Sequence, residues 1–326
     1  MAGSFPIDSG AAAGSERLLE CDGAGQEHMQ PLARFGGTRP PAPAWFDAAL
    51  ATQPQRSFVE MDGVPIEMLC WGKPGMPGLI FVHGANAHAD WWSFIAPFFA
   101  GRMRVVALSL SGMGRSGWRD RYSVRTFGRE VVAIADAAGL FESMTPPIAI
   151  GHSFGGVVVA QAMAADGHRF GGAIIADSIF QEPDKTPSPG LRSSPNRIMA
   201  SVEEAVMRFR LSPPQRMEHA YILDHIARTS LKPIENGVTW QFDPFIFSNL
   251  SEPVDGSVIG DVLCRLALMR GDRSSLMTPE MLDYTRFRVG RAVPEIIVPD
   301  ADHHLILDQP LAFVAAVRAV LANWGH

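Results

Sequence analysis

Residues 148–160 read IAIGHSFGGVVVA, and this stretch decides how the rest of the chain is interpreted. The apolar run before the first glycine predicts a buried strand, and the apolar residues after the glycine pair predict a helix. A tight turn between a strand and a helix places Ser153 at its apex, with a strained backbone and an exposed hydroxyl. Gly151 and Gly155 stand where larger residues would clash with the flanking backbone. The motif therefore predicts a nucleophilic serine.

Short apolar runs recur on both sides of this motif and alternate with segments of helical pattern. Runs that are apolar on both faces are typical of a parallel sheet covered by helices on both sides. The first two runs are joined by Asp62-Gly63, which is a hairpin signal. The chain is thus predicted to adopt an α/β fold, with a mostly parallel, doubly wound sheet that starts antiparallel. Predicted helices cover Val124 to Ala138, Gly155 to Asp166, Thr278 to Phe287 and Pro310 to Trp324.

Two segments depart from the alternation. Residues 1–54 are rich in Gly, Pro and Ala, which predicts a loosely ordered extension with one short helix near Pro43 to Thr52. Residues 181–258 carry apolar residues at helical spacing, and the second helix there is expected from about Gln215 to Leu231. A helical insertion usually lies over the carboxyl edge of the sheet, where ligands bind. We expect a helical cap on a core formed by residues 55–180 and 259–326.

Composition and charge narrow the classes of function. The chain has 326 residues and a formal net charge of −6, which disfavours a nucleic-acid partner. No run approaches the roughly 20 apolar residues that span a bilayer, and the first 24 residues lack the regions of a signal peptide. The three cysteines are far apart and predict neither a disulfide framework nor a zinc site. A cytoplasmic protein without membrane partners is expected, and a homodimer is left open.

A serine nucleophile needs a general base, and His303 is the best placed of the ten histidines. It follows the last predicted strand, in a loop from which a side chain can reach the end of a neighbouring strand. His304 is the alternative one residue later, because adjacent side chains diverge.

The order of Ser153 and His303, the dipeptide His83-Gly84 and the predicted cap together resemble the α/β-hydrolase superfamily, in its cap-bearing serine esterase or lipase branch. The resemblance covers about Arg56 to His326. It implies that the oxyanion is bound by two backbone N–H groups, here those of Ala85 and Phe154. It also implies a reaction that needs no metal and no organic cofactor.

The resemblance leaves the acid of the triad open. The family's usual acid follows the strand predicted before residue 270, where this chain has Ser274 and Ser275. Asp272 is closer to the strand end than expected. Asp177 follows a different strand, at a location that some family members use. Either aspartate would orient His303, with Asp272 slightly ahead on the general rule.

Several residues are expected near the substrate. Aromatic residues follow His83-Gly84 and recur in the predicted cap, where burial in the core and pocket lining are alternatives. The expected pocket residues are Asn86, Trp92, His152, Trp240 and Phe242. Aromatic lining would select an apolar or aromatic substrate.

The expected activity is hydrolysis of a carboxylic ester of a small molecule through an acyl-enzyme. Alternatives are a lactonase, an amidase or a carbon–carbon bond hydrolase with the same triad, and a ligand receptor that keeps the fold. The loop from Gly112 to Gly117 matches the pattern of a dinucleotide-binding loop, but no helix is predicted directly after it, so cofactor binding is not expected.

Overall fold

The computed structural model describes residues 30–181 and 194–326. An eight-stranded sheet lies at its centre. Its strands are β1 Gln55–Met61, β2 Val64–Trp71, β3 Gly78–Val82, β4 Arg104–Leu108, β5 Ile148–His152, β6 Gly172–Ala176, β9 Arg265–Gly271 and β10 Glu295–Val298. They lie in the order β1-β2-β4-β3-β5-β6-β9-β10. The first two strands form a hairpin, β2 pairs antiparallel with β4, and the remaining neighbours are parallel. The predicted sheet with its antiparallel start is thus confirmed.

The central strands are buried on both faces because nearly all of their residues are apolar or glycine. Alternate residues of β3 point to opposite sides, so Leu79 and Phe81 join one apolar cluster while Ile80 and Val82 join the other. One face is covered by helices α2 (Val124–Ala137) and α3 (Phe154–Asp166). The opposite face is covered mainly by α8 (Pro310–Trp324), the last helix of the chain. The carboxyl ends of the parallel strands therefore meet at one edge, where the loops carry side chains for chemistry.

Part of the predicted loose extension is ordered. The short helix is present as α1 (Ala44–Ala51), and Leu32 and Phe46 are buried in the core. The Phe46 ring packs against Phe94, and Trp71 Nε1 donates a hydrogen bond to Thr52 O at 2.9 Å. For residues 30–54 the short helix was thus predicted correctly, whereas the expected loose order was wrong, because a few apolar anchors suffice to hold a Gly- and Pro-rich segment against the core. Residues 1–29, the rest of the predicted extension, lie outside the described part.

The cap segment is mixed rather than all-helical. In its described part the helices are α4 (Val202–Met207) and α5 (Ala220–Thr229), and the second is shorter than the sequence predicted. Directly after α5, strands β7 (Leu231–Ile234) and β8 (Gly237–Trp240) pair as an antiparallel hairpin. The prediction of a purely helical cap was wrong here because residues 231–240 carry a turn signal, Asn236-Gly237, between two short β-compatible runs. Residues 182–193 of the predicted cap are outside the described ranges.

Two helices follow β9 and β10 and complete the edge that carries the site. Helix α6 spans Pro279–Val289, and the short α7 spans Leu305–Asp308. Within residues 30–181 and 194–326, no helix combines the length and the apolar character that a bilayer crossing requires.

Candidate active site

Ser153 occupies the turn between β5 and α3 in a backbone conformation that residues other than glycine rarely adopt. Its φ is 56° and its ψ is −127°, and its N–H donates a hydrogen bond to Ala176 O at 2.9 Å. A Cβ on Gly155 would clash with the carbonyl oxygens of Val82 and His83, and one on Gly151 would clash with the Gly155 carbonyl. The glycines on both sides of Ser153 are therefore required by the closeness of the backbone.

His303 joins the serine to an acid. It lies in the loop between β10 and α7, with Nε2 at 2.9 Å from Ser153 Oγ and Nδ1 at 2.8 Å from Asp177 Oδ1. A carboxylate only accepts hydrogen bonds, so Nδ1–H donates to Asp177 and Nε2 accepts the Ser153 hydroxyl. In this tautomer the imidazole can take the serine proton, and its side chain is buried with Asp177 behind it.

Asp177 directly follows β6 and is fully buried. Besides His303, its Oδ1 accepts a hydrogen bond from Ser274 Oγ at 2.6 Å, and its Oδ2 accepts one from Gly271 N–H at 2.9 Å. Its φ of 49° is in the left-handed region, which aspartate tolerates better than most residues. Two donors besides the imidazole thus hold this carboxylate in position against His303.

The other candidate acid lies elsewhere. Asp272 is exposed, and its Oδ1 accepts a hydrogen bond from Ala301 N–H at 3.1 Å. It therefore ties the loop before His303 to the end of β9, while the imidazole is bound by Asp177. The slight preference for Asp272 rested on the strand that the family's usual acid follows. In this chain Ser274 occupies the usual acid position, and its hydroxyl donates a hydrogen bond to Asp177.

Two more histidines flank His303. His152 is buried, and its Nε2 lies 2.9 Å from His303 O, so its N–H holds the backbone of the loop. Burial, aided by the neighbouring His303, lowers the pKa of His152 to about 4, which keeps it neutral at pH 7. His304 is also buried, and its ring packs at 6.0 Å from that of Trp91. It is the backbone N–H of His304, rather than its ring, that has a partner, Gln215 Oε1 at 2.9 Å.

The expected oxyanion donors border Ser153 on two sides. Phe154 is the first residue of α3, so its N–H has no acceptor within the helix and lies at the positive end of the helix dipole. On the other side, a Cβ on Gly84 would lie 3.5 Å from Ser153 Oγ, which places the backbone that leads into Ala85 beside the serine.

His83 fixes the loop that carries Ala85. Leu110 N–H donates to His83 Nε2 at 3.0 Å, so Nδ1 carries the proton and donates to Gly84 O at 2.7 Å. Burial lowers the pKa of His83 to about 3. The ring is therefore a neutral structural bridge between two loops at the strand ends.

The expected pocket residues divide into core and boundary positions. Trp92 is fully buried and stacks on Phe81 at 4.6 Å, so it is a core residue, because its ring is enclosed by other apolar rings. Trp240 is half-buried in β8 and packs against Phe209 at 5.7 Å. Phe242 is half-buried where residue 242 bridges to Met113.

Asn86 and Phe247 border the nucleophile elbow, which is the turn between β5 and α3 that carries Ser153. Asn86 is half-buried with φ of 58° in the loop after Gly84. Phe247, from the cap segment, meets Phe154 edge to face at 5.2 Å. Apolar cap surface thus adjoins the residue that follows Ser153, and Phe247 was missed because its position beside the elbow depends on tertiary packing.

The hydrogen bonds between the cap segment and the His303 loop were also not predicted from the sequence. Gln215 Nε2 donates to both carboxylate oxygens of Asp308, at 2.9 and 2.8 Å, while its Oε1 accepts from His304 N–H. Asp302 N–H also donates to Asp308, at 2.8 Å. Burial raises the pKa of Asp308 to about 6. The cap segment therefore binds the residue after His303 directly and reaches the residue before it through Asp308, a long-range pairing with no local sequence signal.

The loop from Gly112 to Gly117 packs against protein groups. A Cβ on Gly112 would meet Tyr122 Oη at 2.7 Å, and the next helix, α2, begins only at Val124. Close packing explains the first of these glycines, and the arrangement differs from a dinucleotide loop, which opens directly into a helix.

Comparison with known proteins gives the same fold. A structure described as a thioesterase domain from the curacin biosynthetic pathway superposes with a TM-score of 0.68 at 21% identity, covering 81% of this chain and 99% of that one. E-2-(acetamidomethylene)succinate hydrolase gives 0.66 at 16% identity, covering 82% and 98%. An esterase from M. tuberculosis gives 0.61 at 17% identity, covering 93% and 100%. At these identities the likeness shows the fold alone.

A sequence relative matches a shorter stretch. It is the dihydrolipoyllysine-residue acetyltransferase component of the acetoin cleaving system of Cupriavidus necator, 34% identical over 118 residues, which are 35% of this chain and 29% of that protein. The match thus spans less than a third of the relative's length. The model of the alpha/beta hydrolase family matches residues 79–317, which is well over half of the chain. The chain therefore belongs to the alpha/beta hydrolase family.

Proposed function

We propose that the protein is a serine hydrolase that cleaves a carboxylic ester of an apolar or aromatic small molecule through an acyl-enzyme. One observation carries the proposal: His303 is hydrogen-bonded through Nε2 to Ser153 and through Nδ1 to Asp177. A nucleophile, a base and an acid in series are the arrangement that serine acyl transfer requires.

In the proposed first half-reaction, Ser153 Oγ attacks the ester carbonyl while His303 Nε2 takes the hydroxyl proton. Asp177 stabilises the imidazolium that results, and the N–H groups of Ala85 and Phe154 bind the negative oxygen of the tetrahedral intermediate. When the intermediate collapses, the ester C–O bond breaks and His303 returns the proton to the departing alkoxide. An alcohol leaves, and the acyl group remains on the serine.

In the second half-reaction, water takes the place of the alcohol. His303 removes a proton from the water as it attacks the acyl carbonyl, and the same donors bind the oxyanion. The Ser153–acyl bond then breaks, and the proton passes from His303 to Ser153 Oγ. The products are a carboxylic acid and the original enzyme, so every proton is carried by groups of this chain or by water.

The preference for an uncharged substrate rests on the residues around the elbow. Phe154 and Phe247 are both half-buried, and their rings meet edge to face at 5.2 Å. Aromatic surface offers dispersion contacts to an apolar acyl or alcohol group. Relatives of this fold carry names such as thioesterase and hydrolase of an acetamido compound, so the panel of substrates must include thioesters, amides and lactones as well as esters.

The test is Ser153→Ala, assayed on p-nitrophenyl esters of increasing acyl length and on the matching thioester, amide and lactone. We expect turnover to fall by at least about a thousandfold and covalent labelling by a fluorophosphonate probe to disappear. Ser251→Ala, at an exposed serine, is the matched control and should keep both. Full activity in Ser153→Ala would overturn the mechanism, and a preference for amides over esters would overturn the substrate class.

A further inference from the structure

His303 belongs to a group of three buried histidines. One nitrogen of each of His152, His303 and His304 lies within 4.8 Å of one nitrogen of each of the other two. The ring centroids are 5.1 Å apart for His152 and His303, 4.9 Å for His303 and His304, and 5.8 Å for His152 and His304. Three neighbouring imidazoles are a donor set that zinc and related transition-metal ions take in proteins.

The ring of His304 has no role in the proposed reaction. It is 4% exposed, and among the described residues neither Nδ1 nor Nε2 makes a hydrogen bond of ordinary geometry, although the backbone of Ser212 and Pro213 lies beside the ring. A buried polar group without a partner is costly, so such a group in a folded protein calls for an explanation. Coordination of an ion would occupy one of these two nitrogens.

The other two histidines differ in what an ion would displace. His152 uses Nε2 for the backbone of residue 303, which leaves Nδ1 as its ligand atom. Both nitrogens of His303 are engaged, one by Ser153 and the other by Asp177. An ion bound to His303 must therefore break one of these two hydrogen bonds, and either loss removes the base from the proposed mechanism.

We propose that His152, His303 and His304 form an inhibitory site for a divalent transition-metal ion, with Zn²⁺ as its probe. In zinc sites the metal–nitrogen distance is about 2.1 Å, so the rings need to close by about an ångström around the ion. A water molecule or the displaced Ser153 hydroxyl completes the tetrahedron. Binding and turnover exclude each other because they compete for His303. The inhibitory consequence rests on the proposed serine mechanism, whereas metal binding does not.

The test measures metal binding directly and does not depend on ester turnover. Protein treated with EDTA and desalted is titrated with Co²⁺, followed by its visible absorption, and with Zn²⁺, followed by calorimetry. We expect one ion per chain with the spectrum of tetrahedral Co²⁺. His304→Phe keeps a buried ring but removes the nitrogens, and Zn²⁺ affinity should fall about tenfold or more. His168→Asn, at an exposed histidine, is the control and should bind as the wild type does.

A second readout needs only the wild-type chain, in case His304→Phe fails to fold. Zn²⁺ should slow fluorophosphonate labelling of Ser153, and EDTA should restore it. Equal Zn²⁺ affinity in wild type and a folded His304→Phe would overturn the proposal, as would the absence of 1:1 binding or labelling that ignores Zn²⁺ at saturation. If ester turnover is absent while the tetrahedral Co²⁺ spectrum depends on His304, the metal site stands and the proposed function fails.

Discussion

Ser274 donates a hydrogen bond to Oδ1 of Asp177 at 2.6 Å, and the same oxygen accepts the Nδ1–H of His303 at 2.8 Å. Ser274, at the family's usual acid position, thus binds the aspartate that we propose as the acid. Because the carboxylate is buried, each donor contributes to holding it in one orientation.

Replacement of each of the two aspartates by asparagine should separate their roles. Asp177→Asn is expected to lower kcat by about 10⁴-fold, because the amide would favour the wrong imidazole tautomer. Asp272→Asn should stay within about threefold of wild type, since its exposed carboxylate binds a backbone N–H. Steady-state rates on one ester decide between them, and a larger loss in Asp272→Asn would contradict the assignment.

Removal of the Ser274 hydroxyl should weaken the acid without abolishing it. One hydrogen bond to a charged group contributes about 1.5–3 kcal/mol, so Ser274→Ala is expected to lower kcat by about tenfold or more with little change in KM. Ser275→Ala, at the exposed neighbouring serine, is the matched control. Equal rates in both variants would show that Ser274 does not support Asp177.

The elbow makes a steric prediction. A Cβ on Gly155 would meet two backbone carbonyls, which cannot move as the tip of a side chain can. We expect Gly155→Ala to lose about 3 kcal/mol of unfolding free energy or to fail to fold. Gly101→Ala adds its methyl group to open space and should change stability little. Denaturant melts of both variants test the pair, and equal midpoints would count against the elbow geometry.

Buried histidines predict loss of stability in acid. Burial lowers the pKa of His83 to about 3 and that of His152 and His225 to about 4. The unfolded chain takes up these protons below about pH 6.5 while the folded chain does not, so stability falls as pH drops from 6.5 toward 4. In this range each histidine lowers the free energy of unfolding by up to about 1.4 kcal/mol for each unit by which the pH falls.

Asp308 acts in the opposite direction, because its folded pKa is raised to about 6 and its contribution is lost as pH rises through that value. Three histidines against one carboxyl leave a net loss in acid. Unfolding free energies at pH 7 and pH 5 measure it, and a flat or rising profile toward acid would contradict the burial of these rings.

Gln215 is expected to position His303 from the cap segment. Gln215→Ala removes both donors to Asp308 and the acceptor of the His304 N–H. The loop should loosen, and kcat should fall by about tenfold with little change in KM. Gln53→Ala, whose side chain bonds the carbonyl of Leu50, is the control. An unchanged kcat in Gln215→Ala would contradict this role.

The sequence predicted the sheet because β3 to β6 are apolar on both faces, and that pattern has few other solutions. It also predicted that Ser153 and His303 would share one edge, because strand ends in a parallel sheet meet there. It could not separate Asp177 from Asp272, since each follows a strand and the difference is a matter of side-chain direction. Gln215 and Ser274 were missed for a related reason: their partners lie far away along the chain, and nothing local marks such pairings.

The N–H of Ser153 is bonded to Ala176, the residue directly before Asp177, so the proposed nucleophile and acid come from adjacent strands made close together in time. His303 follows Asp177 by 126 residues. On the ribosome, Ser153 and Asp177 are therefore synthesised long before Gly271, Ser274 and His303, which supply the hydrogen bonds that hold Asp177. On the proposed mechanism, ester cleavage begins only when β10 and the loop after it have emerged and docked, which makes activity a late marker of completed folding.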